Sequence, residues 1–178
     1  EKETFAAIRE GARHIGRISP ERIRDELTRI LTEGGAARGM QLLLEAGLLQ
    51  QTLPEVVAMD GVRQPEQFHP EGDVWTHVKL MLGHLAEASP ALAWGVLLHD
   101  VGKPPTYTLT DRIRFNRHDA VGAEMAERIC RRLHMSNEDA ECIRQLTAQH
   151  MRIGHAREMR PSKLKRLLRQ PLFADLLE

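Results

Sequence analysis

LLHDVGKPP, residues 97–105, is the stretch on which the reading of this chain turns. An apolar run of helical character, ALAWGVLL at 91–98, enters it and ends in His99 and Asp100 before Gly102 and two prolines stop the helix, because glycine suits helix ends and proline cannot continue one. A helix apolar on every side is a buried helix. Adjacent side chains on a helix point about 100° apart, yet at a helix end they can flank one metal cluster. Histidine then supplies a neutral nitrogen and aspartate an anionic oxygen able to bridge two cations. Lys103 follows as a group suited to meeting a phosphate.

Outward from this stretch the same helix signals repeat, and almost nothing alternates apolar with polar over strand length. The pattern predicts an all-α protein. Helices are expected at 2–15, from the Ser19 cap and Pro20 to 31, at 36–45, 74–88, 91–101, 119–134 and 137–150, with a last one starting near Pro161; Ser89 and Ser136 are further natural caps. The turn-rich residues around Leu53 to Pro65 run into an expected linker at 62–72. The chain thus divides into a helical neck (1–61), the linker, a helical domain (73–160) and the start of a basic helical segment (161–178).

Composition narrows the function. With 178 residues, 25 basic and 25 acidic side chains and 42% hydrophobic content, the chain is an ordinary globular protein. No apolar run reaches the roughly 18 residues that span a bilayer, so no membrane partner is expected. Two cysteines, Cys130 and Cys142, make no disulfide scaffold and read as small core residues, and a reducing, cytoplasmic setting is the default. The zero net charge hides a basic end. Residues 151–178 hold Arg152, Arg157, Arg160, Lys163, Lys165, Arg166 and Arg169 against three acids, a set able to follow a phosphate backbone. Aromatics are only 4%, too few to support recognition of single strands by stacking, and Trp75 and Trp94 read as core.

Nine histidines are the unusual count, and position sorts them. His77 lies in DVWTHVKLML, His118 opens a helix in RHDAVGAEMA, and His150 closes another in LTAQHM. Imidazole and carboxylate together suit a transition metal. His84, two turns beyond His77, lies about 10 Å along the same face and too far to share its ion. His14, His69, His134 and His155 read as surface residues. Asp119, about 100° from His118, reads as a favourable charge at a helix start.

His77, the His99–Asp100 pair with its VGK continuation, His118 and His150 resemble, in order and context over residues 73–150, the HD metal-dependent phosphohydrolase superfamily. The resemblance implies an all-helical site with one or two divalent metals held by His77, His99, Asp100 and His118. Asp100 would bridge them, Lys103 and His150 would stand around the phosphate, and a metal-activated water would attack a phosphoester. Many members close the site with a distant aspartate; this chain offers His150 there.

ETFAAIREGARHIGRISPERIRDELTRIL (3–31), GMQLLLEAGLLQQTLPEV (39–56) and FHPEGDVWTH (68–77) are in turn similar to the helical neck, and the segments after the neck, of bacterial CCA-adding tRNA nucleotidyltransferases and their poly(A) polymerase relatives. This implies tRNA or another phosphoester as the partner, with Arg22 and Arg24 as family-specific contacts; Arg160, Lys163, Lys165 and Arg166, from the basic end, are the further expected RNA contacts. It also implies a nucleotidyltransferase head on the same polypeptide. That family's Gly-Ser start, paired strand carboxylates and nucleotide-selecting motif do not occur in these 178 residues, so this chain by itself is expected not to add nucleotides. The expected role is hydrolysis of 2′,3′-cyclic phosphate or 2′-phosphate ends in tRNA 3′-end processing or repair. Two alternatives stand beside it: a non-catalytic tRNA-binding body with a structural metal, and a free-standing HD nucleotidase.

Overall fold

The computed structural model describes residues 2–85 and 87–176. Position 86 of the expected 74–88 helix, and positions 177–178 of the expected C-terminal segment, lie outside the described residues. The neck consists of α1 (Lys2–Gly11), a 3-10 turn at Ala12–Arg17, α2 (Pro20–Thr32), α3 (Ala36–Glu45) and the single turns α4 (Leu49–Thr52) and α5 (Pro54–Val57). After a loop come α6 (Val74–His84), α7 (Pro90–Leu98) and the short α8 (Lys103–Thr106). A two-stranded antiparallel hairpin, β1 (Tyr107–Leu109) with β2 (Ile113–Phe115), pairs Thr108 with Arg114. It is too short to leave an alternating signal in the sequence. The chain continues through α9 (His118–Arg132), α10 (Asn137–Gln149), a 3-10 stretch at His150–Glu158 and α11 (Pro161–Leu168). The architecture is all-α, as the helical punctuation indicates.

The caps fall where short polar side chains precede apolar runs. Ser89 Oγ accepts from Leu92 N at 3.2 Å and Ser136 Oγ from Asp139 N at 3.0 Å, each satisfying a backbone donor that the first helical turn leaves free. Helix α7 buries Leu92, Ala93, Trp94, Gly95, Leu97 and Leu98 and so forms the axis of the domain, with α10 and α2 packed on it. Helix α6 ends at His84, four residues short of the expected stop, where Leu85 turns extended.

Neck and domain share one hydrophobic core. Leu27, Leu31 and Met40 from the neck cluster with Trp75, Trp94, Leu97 and Ile129, and both tryptophans are tied across the boundary. Trp94 Nε1 donates to Thr28 Oγ1 at 2.9 Å and Trp75 Nε1 to Gln41 Oε1 at 3.0 Å. Cys130, fully buried in this core, has its thiol pushed up to about 12 by burial, which leaves it protonated and unreactive.

Residues 62–72, expected as a linker, form a closed loop. Val74 N donates to Val62 O at 2.9 Å, and Arg63 and Asp73 form an antiparallel bridge. Asp73 locks both ends: Oδ2 accepts from Gly61 N at 2.5 Å and Oδ1 from Thr76 N at 2.9 Å, so the same carboxylate caps α6 and staples the loop. Gly102 allows a close approach of backbone to backbone. A Cβ there would collide with the carbonyl of His118 and the backbone of Gly122, and this contact sets the start of α9 against the turn that follows Asp100.

Candidate metal centre

Asp100 sits just past the end of α7 with its side chain 2% exposed. Four histidines surround it, delivered by four different elements: His77 from α6, His99 from the end of α7, His118 from the first position of α9 and His150 from just beyond α10. Their Nε2 atoms lie 3.9, 3.2, 3.5 and 3.7 Å respectively from an Asp100 carboxylate oxygen.

The other ring nitrogen of each histidine is already committed. His99 Nδ1 faces Val96 O at 2.7 Å, His118 Nδ1 faces Phe115 O at 3.0 Å, and His150 Nδ1 faces Thr147 O at 2.7 Å. His77 Nδ1 faces Glu71 Oε1 at 2.6 Å. A carbonyl or carboxylate oxygen can only accept, so each Nδ1 carries a proton and each ring, in its neutral form, turns a bare Nε2 lone pair inward. Tethering one nitrogen to fix the tautomer of the other is how proteins prepare imidazole for a metal. Two of these lone pairs, on His118 and His150, stand only 3.2 Å apart. Neutral rings in that pose repel unless a cation or shared proton lies between them.

Asp100 supplies the second sign of a cation site. Both of its oxygens are buried without a correctly oriented hydrogen-bond donor, although Lys103 Nζ lies 2.7 Å from Oδ2. A buried carboxylate left this way is costly. Burial pushes its carboxyl up, but His99 and then Lys103 outweigh that and hold it well below the usual carboxylate range. Burial, reinforced by neighbouring His99, lowers His77 and brings His150 down to about 4. Burial also lowers His99, but the adjoining Asp100 carboxylate outweighs it and holds that imidazole above its ordinary value, so the anionic carboxylate has neutral His77 and His150 on one side and His99 as its partner on the other. The donors form two triads sharing one residue, His77–His99–Asp100 and Asp100–His118–His150, each with its ligand atoms within 4.8 Å of one another. Buried orphan oxygens, converging lone pairs and a mixed nitrogen and oxygen donor set fit one or two divalent transition ions.

Lys103 is 5% exposed and its ammonium is turned onto Asp100 and onto Gln64 Oε1 at 2.5 Å, with the Phe115 ring 5.5 Å away. It therefore faces the carboxylate from behind and not the solvent side of the cluster. A cavity of about 220 Å³ opens beside His77, His99 and His150, with Met81, Leu92, Val96 and Leu146 in its wall.

Three residues near the centre are not legible as such in the sequence. Glu71 and Gln64 lie in the stretch expected as a linker, and His69, read as a surface residue, is half-buried with Nδ1 3.0 Å from Glu71 Oε1 and its ring edge-on to His77. The run FHPEGDVWTH holds the signal, because Asp73 as a helix cap places Glu71 just ahead of the helix that carries His77.

The expected RNA contacts scatter. Arg22 is exposed near the start of α2. Arg24 is held within the molecule, Nη1 donating to His134 O at 2.5 Å and Nε to Asp25 Oδ1 at 2.9 Å. Arg160 precedes α11 and Lys165 lies on it, both exposed, while Lys163 and Arg166 join Arg152 around a cavity of about 280 Å³. No described helix is long and apolar enough to cross a membrane.

Residues 73–170 match the family model described as HD domain, and residues 1–59 match that described as the probable RNA and SrmB binding site of polymerase A. A Multifunctional CCA protein of Alkalilimnicola ehrlichii is 35% identical over 156 residues, covering 86% of this chain and 38% of the relative. One from Herminiimonas arsenicoxydans is 34% identical over 179 residues, covering 94% and 42%. An A-adding tRNA nucleotidyltransferase of Deinococcus radiodurans is 37% identical over 163 residues, covering 85% and 37%. The chain spans about 40% of the length of these relatives.

Proposed function

The chain belongs to the HD-domain family and carries ahead of that domain the neck found in bacterial tRNA nucleotidyltransferases, and from that premise we propose that its HD centre hydrolyses phosphoesters at RNA 3′ ends. The observation that carries this reading is the convergence of four tethered imidazoles on one orphaned carboxylate. His77, His99, Asp100, His118 and His150 would hold one or two divalent ions. A bound ion supplies a water of lowered pKa and a counter-charge for phosphoryl oxygens.

The protein's own groups do the rest. Asp100 joins the two triads, and Lys103, locked between Asp100 and Gln64, keeps that carboxylate anionic and in register. His150, on the rim between the triads and the cavity, is placed to meet the phosphate as well as to close the second triad. The cavity holds a small group and offers an apolar wall to the sugar or leaving group, while tRNA is the proposed carrier of the scissile end. Arg22 and the α11 cations Lys163, Lys165 and Arg166, with Arg160 before them, are the proposed phosphate-backbone contacts; Arg24 joins them only if RNA displaces its bond to His134.

The test is a phosphoester panel, 2′,3′-cyclic nucleotides, 2′- and 3′-nucleotides and tRNA bearing those ends, with chelation and metal re-addition. The expected result is turnover that EDTA removes and a divalent ion restores. Salt-dependent tRNA binding with no hydrolysis of any member would replace this reading with that of a non-catalytic RNA-binding body.

A further inference from the structure

Three of the four inward histidines lean on backbone carbonyls, which no side-chain substitution removes. His77 alone is tethered by a side chain. We infer that Glu71 is a positioning residue for the metal centre, and that Glu71, held in turn by His69, sets which nitrogen of His77 is presented to Asp100. The inference rests on the metal-binding reading above.

Glu71 Oε1 receives two imidazole Nδ1 atoms at once, from His77 at 2.6 Å and from His69 at 3.0 Å. Its side chain is 17% exposed. With Nδ1 of His77 donating outward, Nε2 is left unprotonated and points at Asp100. His69, its ring edge-on to His77 with centroids 4.8 Å apart, fixes the carboxylate and fills the outer side of the ring. These three residues are themselves close enough for one ion. However, a cation there would need the Nδ1 that His77 donates to Glu71, so the cluster acts as a hydrogen-bonded relay. The relay explains the closed loop. Residues 61–73 are stapled by Asp73 at both ends, and only a fixed loop can hold Glu71 within hydrogen-bond reach of a helix residue six positions on.

Metal titration by calorimetry with Mn(II) or Zn(II), and nitrogen NMR of the metal-free His77 ring, test this on the whole chain with Glu71→Ala, Glu71→Gln and His69→Ala. Wild-type His77 is expected as the Nδ1–H tautomer. Glu71→Ala is expected to shift that population toward Nε2–H and to weaken metal binding about 10–100-fold. Glu71→Gln should recover much of both, since its amide oxygen still accepts, and His69→Ala should fall between wild type and Glu71→Ala. A purely structural Glu71 would lower the melting temperature of the metal-free chain without moving the tautomer. An unchanged tautomer, or metal affinity in Glu71→Ala within twofold of wild type, overturns the relay. A wild type that binds no metal overturns the proposed function instead, and the tautomer then decides the relay alone.

Discussion

Asp100→Asn should yield a folded chain that has lost metal from both triads and phosphoester turnover by about a thousandfold or more. The size follows from the shared position of this residue. Removing one histidine leaves one triad intact, whereas Asp100 belongs to both, so its charge is lost to every ion at once. Several kcal/mol of charge stabilisation go with it, and each 1.36 kcal/mol is a factor of ten in rate. Asparagine is the better probe than alanine. Asp100→Ala would strand the buried Lys103 ammonium, left with Gln64 Oε1 and the Phe115 ring beside it, and breaking a buried ion pair in this way costs about 3–5 kcal/mol. Asp100→Asn keeps the shape and an acceptor. Metal content and turnover equal to wild type in Asp100→Asn would exclude the carboxylate from both binding and chemistry.

Trp94→Ala is expected to cost about 3–5 kcal/mol of unfolding free energy, the range for deleting a large buried aromatic. That is a large part of the roughly 5–15 kcal/mol available to a domain of this kind. Trp94 is 2% exposed and sits where α7 meets the neck, its indole N–H bonded to Thr28. Thr28 in turn donates to Arg24 O at 2.8 Å. Because the core runs unbroken from Leu27 and Met40 to Ile129, urea should unfold the wild type in one transition. The substitution should move the whole transition, and Trp94→Phe should recover much of the loss. Two separated transitions, with only one of them shifted by Trp94→Ala, would mean that neck and HD domain fold independently.

The sequence is most legible where a local rule and a functional residue coincide. His99 and Asp100 stand out because an apolar helix runs into them ahead of Gly102, although it ends at Leu98 and the two prolines open α8 rather than merely stopping it; His77, His118 and His150 stand out only as a set, through the resemblance to the HD superfamily. Glu71, His69 and Gln64 do not, since proline, glycine and polar residues at 62–72 carry no periodicity and read as a connector. What closes that segment is a tertiary fact: one Asp73 side chain bonding forward to Thr76 and back to Gly61. Lys103 and Arg24 show the same limit from the other side. Both read along the chain as cations for phosphate, and nothing in the sequence announces that one is turned onto Asp100 and the other onto His134 O, 110 positions away. The long helices are legible, whereas the single turns α4, α5 and α8 lie in stretches that read as turns or helix stops, and helix ends are less legible, as at His84, where the backbone turns extended.

Four tethered imidazoles and one shared carboxylate are proposed to hold one or two divalent ions. Metal analysis of the purified chain, stripped with chelator and reloaded by dialysis, tests it most directly when wild type and Asp100→Asn are run side by side. The predicted result is one or two divalent ions per wild-type chain and none retained by Asp100→Asn. A folded wild type that takes up no ion, or an Asp100→Asn chain that retains the same number, would contradict it.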